Sequence, residues 1–358
     1  MTTTGQEPAE PRHIGPADLA DDGAAAPLLD GHGRILEPLL VVDLDGVPTR
    51  QVVARAALAA ARVDRILVGL SPRSAPDPGF GPLLAALDLT LVPATDSPAD
   101  RQLVGCADAE ATAQTLHRGA AANPTASTVL AGLLHWSGSL PVPNALDAES
   151  FAYSTLLGGP EFGTWLAHRG PRPLPLPAPG TPVLLERVDD ELRITLNRPE
   201  RRNAYGRDVR DALVEALRIA LADRDVTVVL AGAGPSFCSG GDLDEFGTAP
   251  DAVTAHLVRT RAGAGLPIHH LAQRLEVRVH GSCVGAGIEL PAFAGHIVAH
   301  PDTTFRLPEV GMGLIPGAGG TVSIPRRIGR WRTLHMALTG ETIDTRTALD
   351  WGLIDATP

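Results

Sequence analysis

Twice in this chain a β-branched run ends in glycines and passes straight into another ordered segment. Residues 226–231 lead into Phe237-Cys238-Ser239-Gly240-Gly241-Asp242-Leu243. Residues 275–279 lead into His280-Gly281-Ser282-Cys283-Val284-Gly285-Ala286-Gly287, and a helix is expected over 287–294. Strand, glycine turn, helix is the order that sets backbone N–H groups at the mouth of a parallel sheet. Just upstream, 183–187 and 191–196 read as a hairpin turning at Val188-Asp189-Asp190. Residues 207–222 place Val209, Leu213, Leu217 and Leu221 at helical spacing.

The N-terminal half alternates in the same way. Strands are expected at 39–44, 65–70 and 89–92. Helices are expected at 50–62, 108–122, 127–136 and 148–169, the last broken near Gly158-Gly159-Pro160. Alternation of this kind describes parallel βαβ units, so the fold class is α/β in both halves. The proline-rich run 170–182 between them is extended and semi-rigid. The organisation expected is a flexible tail over 1–30, an α/β domain over 31–169, a linker over 170–182 and a catalytic domain over 183–358.

At 358 residues the chain is long enough for two cores, and 44% hydrophobic with 20% charged residues describes a globular protein. A net charge of −11 argues against a nucleic-acid partner, which calls for a basic footprint. All 30 basic residues are arginine, so any phosphate contact falls to arginine or backbone N–H groups. The N-terminal residues carry no apolar signal core, and no apolar stretch reaches the length of a membrane span. Cys106, Cys238 and Cys283 have no metal-type spacing, which fits free thiols and a cytoplasmic location.

Two glutamates concentrate the chemistry. Glu289 lies in Gly287-Ile288-Glu289-Leu290, where a carboxylate is costly unless it is paired or hydrogen-bonded. Glu309 lies in Leu307-Pro308-Glu309-Val310-Gly311, ahead of the glycine-rich stretch that holds Gly317. Two neighbouring carboxylates raise one another's pKa and can share a water. If the N–H groups of Gly241 and Ala286 converge, they form a hole for a carbonyl oxygen gaining charge. A lone glycine pair more often marks a turn without a ligand, and only its combination with two glutamates points to a site. Asp242 is read as the cap of a following helix, and His269-His270 as a surface pair. The pocket walls are expected from 249–273 and from the N-terminal half.

The segments Asn197-Arg198-Pro199-Glu200-Arg201-Arg202-Asn203-Ala204, FCSGGDL, VHGSCVGAGIEL and LPEVGMGLIPGAGGT together resemble the enoyl-CoA hydratase/isomerase (crotonase) superfamily, in family order over about 183–358. The resemblance implies a spiral of ββα units in the C-terminal half, without the family's usual C-terminal helices, whose place as a lid the N-terminal half is expected to fill. It implies that Glu289 and Glu309 activate a water against a 2-enoyl-CoA and that Gly241 and Ala286 hold the thioester oxygen. Arg202, Ala204, Ser239, Gly240, Asp242, Gly285 and Gly317 would contact the acyl-CoA. No metal or redox cofactor is implied, and coenzyme A enters as part of the substrate. A homo-oligomer of three or six chains, or a complex with a partner subunit, is the assembly expected. The alternatives are an isomerase or other CoA-thioester lyase, and a non-catalytic acyl-CoA-binding subunit.

Overall fold

The computed structural model describes residues 10–47, 49–94, 100–177 and 179–358. The chain forms two compact units. One comprises the described residues up to Gly132 together with Gly329–Thr339, and the other Leu133–Ile328 together with Gly340–Pro358.

The first unit runs β1 (Arg12–Ile14), α1 (Pro16–Ala20), β2 (Leu39–Asp43), α2 (Arg50–Ala60), β3 (Ile66–Leu70), α3 (Gly81–Ala86), β4 (Leu89–Pro93), β5 (Leu103–Cys106) and α4 (Ala109–Ala122). Its five strands pair in sequence order and all in parallel. Strand side chains alternate between faces: Leu40, Val42 and Leu67 join one core with Val53 and Ala56 of α2 and Leu83 of α3. Leu39, Val41 and Ile66, on the opposite face, are also fully buried. A sheet buried on both faces reads as a continuous apolar run, which is why these strands were legible.

The expected tail over 1–30 requires correction. Residues 1–9 lie outside the described residues, but Arg12, His13 and Ile14 pair with Leu40, Val41 and Val42, and Leu19 of α1 is fully buried. Three residues of strand beside polar, proline-containing sequence are too short to leave a periodic signature.

The second unit opens within α5 (Pro124–Ser137) and continues through α6 (Val142–Leu157) and α7 (Pro160–Arg169). It then runs β6 (Val183–Val188), β7 (Glu191–Leu196), α8 (Arg207–Ala222), β8 (Thr227–Gly232), α9 (Ala252–Ala262), α10 (Gly265–Leu271), β9 (Leu275–Val279), β10 (Ser282–Val284) and α11 (Ala286–Glu289). β11 (His296–Ala299), β12 (Thr304–Arg306), α12 (Gly320–Thr339), β13 (Ile343–Asp344) and α13 (Thr345–Trp351) complete it, save that α12 breaks at Gly329 and its second half belongs to the first unit. A five-stranded sheet has the order β11-β9-β8-β7-β6, and a three-stranded sheet the order β10-β12-β13. Successive strand pairs split between the two sheets: β9 and β11 pair in the first, β10 and β12 in the second. That split, repeated with a helix after each pair, is the ββα spiral expected for this half.

The expected boundary at 170–182 differs from this division, because α6 and α7 pack within the second unit. Ser150 Oγ and Ser154 Oγ on α6 donate to the His256 and Ala252 carbonyls of α9. The helix expected over 287–294 is shorter: α11 ends at Glu289, and Pro291–Phe293 forms a single 3₁₀ turn. Pro291 lacks the N–H that would continue the ladder.

Candidate active site

The glycine turns bring their two loops side by side. Val284 N–H donates to the Cys238 carbonyl at 3.2 Å, and Cys238 and Cys283 form a parallel bridge. A Cβ on Gly287 would collide with the Cys238 carbonyl, so only glycine permits this approach. Gly241 and Ala286 line one pocket, with a cavity volume of about 260 Å³. Neither N–H group meets an acceptor among the described residues. Both donors are therefore available to a ligand.

Glu289 and Glu309 line the same pocket and are both buried. Gly285, the N-cap of α11, has a φ of 49° in the left-handed region that favours glycine. A Cβ there would fall well inside contact distance of Glu309 Oε1 and 3.5 Å from Glu289 Oε1. The two carboxylates therefore flank one point of backbone, which only a glycine leaves open. Their other oxygens differ. Glu289 Oε2 accepts from Ala318 N–H at 2.7 Å and Gly320 N–H at 2.9 Å. Glu309 Oε2 is buried with no hydrogen-bond partner among the described residues.

The environments set the proton affinities. Burial pushes the Glu289 carboxyl up to about 7 against the two N–H donors, which favour its anion. Glu309 is pushed well above the ordinary carboxylate range, first by burial and then by the charge of Glu289. One protonated and one ionised carboxyl near neutral pH is the state this arrangement favours.

A third carboxylate, not anticipated from the sequence, reaches the pocket from α6. Glu149 is 2% exposed, and burial followed by the charge of Glu289 raises it to about 8. Its signal was present: on the buried stripe Val142, Ala145, Glu149, Ser150 and Leu156, one position is a carboxylate where the period calls for an apolar side chain. Tyr153, one turn further, packs its ring against Gly317 and carries the Arg259 guanidinium over its face at 4.5 Å to the centroid. The Tyr153 phenol is pushed up by burial. Leu157 of α6, Phe162 of α7, and Ala255 and Leu266 from the 249–273 stretch add apolar wall, from the two regions expected to supply it.

The remaining expected residues separate. Gly317 and Asp242 line the pocket, and Ala204 lines a neighbouring one with Arg198 and Arg201. Asp242 caps no helix. It is buried and accepts from Arg201 Nε at 3.0 Å and Nη2 at 2.6 Å, because no helix follows until α9. Ser239 and Gly240 build the turn: Ser239 N–H donates to the Arg202 carbonyl and Gly240 accepts from Tyr205 N–H. Arg202 itself is exposed, in a left-handed conformation with φ of 51°, and lines neither pocket. His269 and His270 are exposed neighbours. Among the described residues, no group of three or more His, Cys, Asp or Glu is arranged to hold a metal ion, and no helix is long and apolar enough to cross a membrane.

A family model described as enoyl-CoA hydratase/isomerase matches residues 191–357. The chain is 34% identical over 173 residues to 2,3-dehydroadipyl-CoA hydratase of Escherichia coli (strain K12), covering 48% of this chain and 67% of that one. It is 34% identical over 177 residues to 1,2-epoxyphenylacetyl-CoA isomerase of the same organism, covering 46% of this chain and 64% of that one. The crystal structure of an enoyl-CoA hydratase from Mycobacterium smegmatis aligns with a TM-score of 0.46 at 31% identity, covering 49% of this chain and 69% of that one. On the match to the Escherichia coli hydratase, at 34% identity over 67% of its length, the chain belongs to the enoyl-CoA hydratase/isomerase family, a family of enzymes acting on CoA thioesters. It spans about two thirds of the length of the curated relatives it matches.

Proposed function

We propose that the protein hydrates a 2-enoyl-CoA thioester across its 2,3 double bond. The observation that carries this reading is the pair of buried glutamates flanking Gly285, beside two amide N–H groups with no acceptor among the described residues. The ionised Glu289 takes a proton from water as the water oxygen bonds to C3. The π electrons of the double bond move toward the thioester oxygen, where the Gly241 and Ala286 N–H groups receive the developing charge. Glu309 gives its proton to C2 as the enolate collapses. The proton on Glu289 then returns to Glu309 through solvent, and the site is reset.

Roles follow from which oxygens are unclaimed. Glu289 keeps one oxygen bound to N–H donors, which stabilise its anion and suit a base. Glu309, without a partner on Oε2 and under the charge of Glu289, suits the protonated acid. Each oxyanion donor is worth about 2.7–4 kcal/mol of transition-state stabilisation in such sites. Coenzyme A takes part only as the carrier of the acyl group.

The test is turnover of crotonyl-CoA in ¹⁸O-labelled water, with the product analysed by mass spectrometry. Label at the C3 hydroxyl supports hydration. Conversion of a 3-enoyl-CoA to the 2-enoyl isomer, without label uptake, would instead assign double-bond isomerisation. Binding of both thioesters without turnover would assign a non-catalytic acyl-CoA-binding role. We further infer a cytoplasmic location, which suits three free thiols, and a homotrimer or pair of trimers, which light scattering on the purified chain would test.

A further inference from the structure

The junction of the preceding loop with the first turn of α12 offers four consecutive backbone N–H groups, and two different carboxylates claim them in alternation. Ala318 and Gly320 donate to Glu289 Oε2, while Gly319 donates to Glu149 Oε1 at 2.8 Å and Thr321 to Glu149 Oε2 at 2.9 Å. The Thr321 hydroxyl closes on the same Glu149 oxygen at 2.8 Å. Both oxygens of Glu149 are therefore occupied, whereas Glu289 keeps Oε1 and Glu309 keeps Oε2 unclaimed. A carboxyl with no free oxygen is poorly placed to exchange a proton with substrate and well placed to hold backbone. The segment bends at Gly319, with φ of 107°, and enters the first turn of α12, with each donor to Glu149 next in sequence to a donor to Glu289. Holding Gly319 and Thr321 on Glu149 therefore restrains their neighbours Ala318 and Gly320 against Glu289.

We propose that Glu149 is a positioning residue, a clamp from α6 that orients the 318–321 amides and through them the carboxylate of Glu289. This rests on the reading of Glu289 as a base of the hydration site. It also gives α6, which lies outside the region matched by the family model, a part in that site. The clamp does not depend on the protonation of Glu149, since a protonated carboxyl still accepts from N–H on both oxygens and can direct its proton to the Thr321 hydroxyl. Glutamine cannot reproduce it. Its amide nitrogen would face the Thr321 N–H donor to donor, leaving a buried N–H unsatisfied.

The experiment compares full-length wild type, Glu149→Gln and Glu149→Asp by hydrogen exchange over residues 317–321 and by steady-state hydration of crotonyl-CoA. In Glu149→Gln, exchange at Gly319 and Thr321 is expected to rise at least ~10-fold as their local bonds are lost. The kcat should fall roughly 10- to 100-fold with KM within about threefold, the mark of lost orientation and not of lost binding. Glu149→Asp, which keeps a carboxyl with two acceptors, should recover part of the kcat. Wild-type exchange at these amides together with wild-type kcat in Glu149→Gln would overturn the proposal. Should Glu149→Gln not fold, Thr321→Val removes one of the three bonds. It should lower kcat several-fold at constant KM, and an unchanged kcat would count against the clamp. If wild type hydrates no 2-enoyl-CoA, the functional reading fails, and the exchange measurement alone decides whether Glu149 holds the loop.

Discussion

Glu289 and Glu309 are twenty residues apart in sequence and share one pocket, yet their surroundings differ, and the proposed hydration puts that difference to opposite uses. Glu289 is held by two amide donors, and Glu309 is left with a buried oxygen that has no hydrogen-bond partner among the described residues. Because burial lifts Glu289 to about 7, the acid limb of kcat/KM is expected near neutral pH, well above an ordinary carboxylate. A limb near pH 4.5 in a pH–rate series would contradict that environment. Gly285 carries the second residue-scale expectation. Gly285→Ala adds a Cβ that collides with Glu309 and strains a left-handed backbone. Hydration should fall by about 100-fold or more if misplacement of the carboxylate costs what it does in other oriented sites. A variant retaining more than half of the wild-type rate would show that the carboxylate does not need that space.

Elements with strong periodicity were legible before the fold was known. α8 coincides with its expected span because Val209, Leu213 and Leu217 form a buried stripe on an otherwise charged helix. Leu217→Ala is accordingly expected to cost about 2–5 kcal/mol, read as a lower midpoint in urea unfolding, since Leu217 is fully buried. Short elements were not legible. β1, β10 and β13 have two or three residues each, and they exist because neighbouring strands supply their hydrogen bonds. The two glutamates and the glycine turns were legible because a carboxylate among small apolar residues conflicts with local preference. Glu149 is less legible, because α6 shows in the sequence through its length and the break at Gly158-Gly159-Pro160, and one glutamate on its inner face leaves that pattern unchanged. The Pro-rich run reads as a domain boundary, yet α6 and α7 before it belong with the second unit, through contacts that composition does not encode.

At the scale of the whole molecule, neither unit is continuous in sequence. Gly329, with φ of 83°, interrupts α12 where the chain passes into the first unit. There the Trp331 indole N–H donates to the Leu87 carbonyl, and Leu334, Met336 and Leu338 are buried. A protein beginning at residue 133 would leave that apolar segment without its own unit, so it is expected to aggregate or unfold below the wild-type melting temperature. A soluble, fully active truncation would contradict this. Stability should also respond to pH through the buried carboxyls. Glu149 and Glu289 bind protons more tightly folded than unfolded, so their contribution falls as pH rises from about 4.5 through about 7 to 8. Chemical unfolding across that range should show stability declining by a few kcal/mol, and Glu289→Gln should flatten the decline. The most direct test of the central claim is the rate of crotonyl-CoA hydration, followed by loss of the conjugated thioester absorbance, in wild type, Glu289→Gln and Glu309→Gln. Turnover by wild type, with each variant slowed roughly 100- to 10,000-fold, is the expected result for a paired acid and base. Wild-type hydration that survives either substitution would contradict the two-glutamate mechanism.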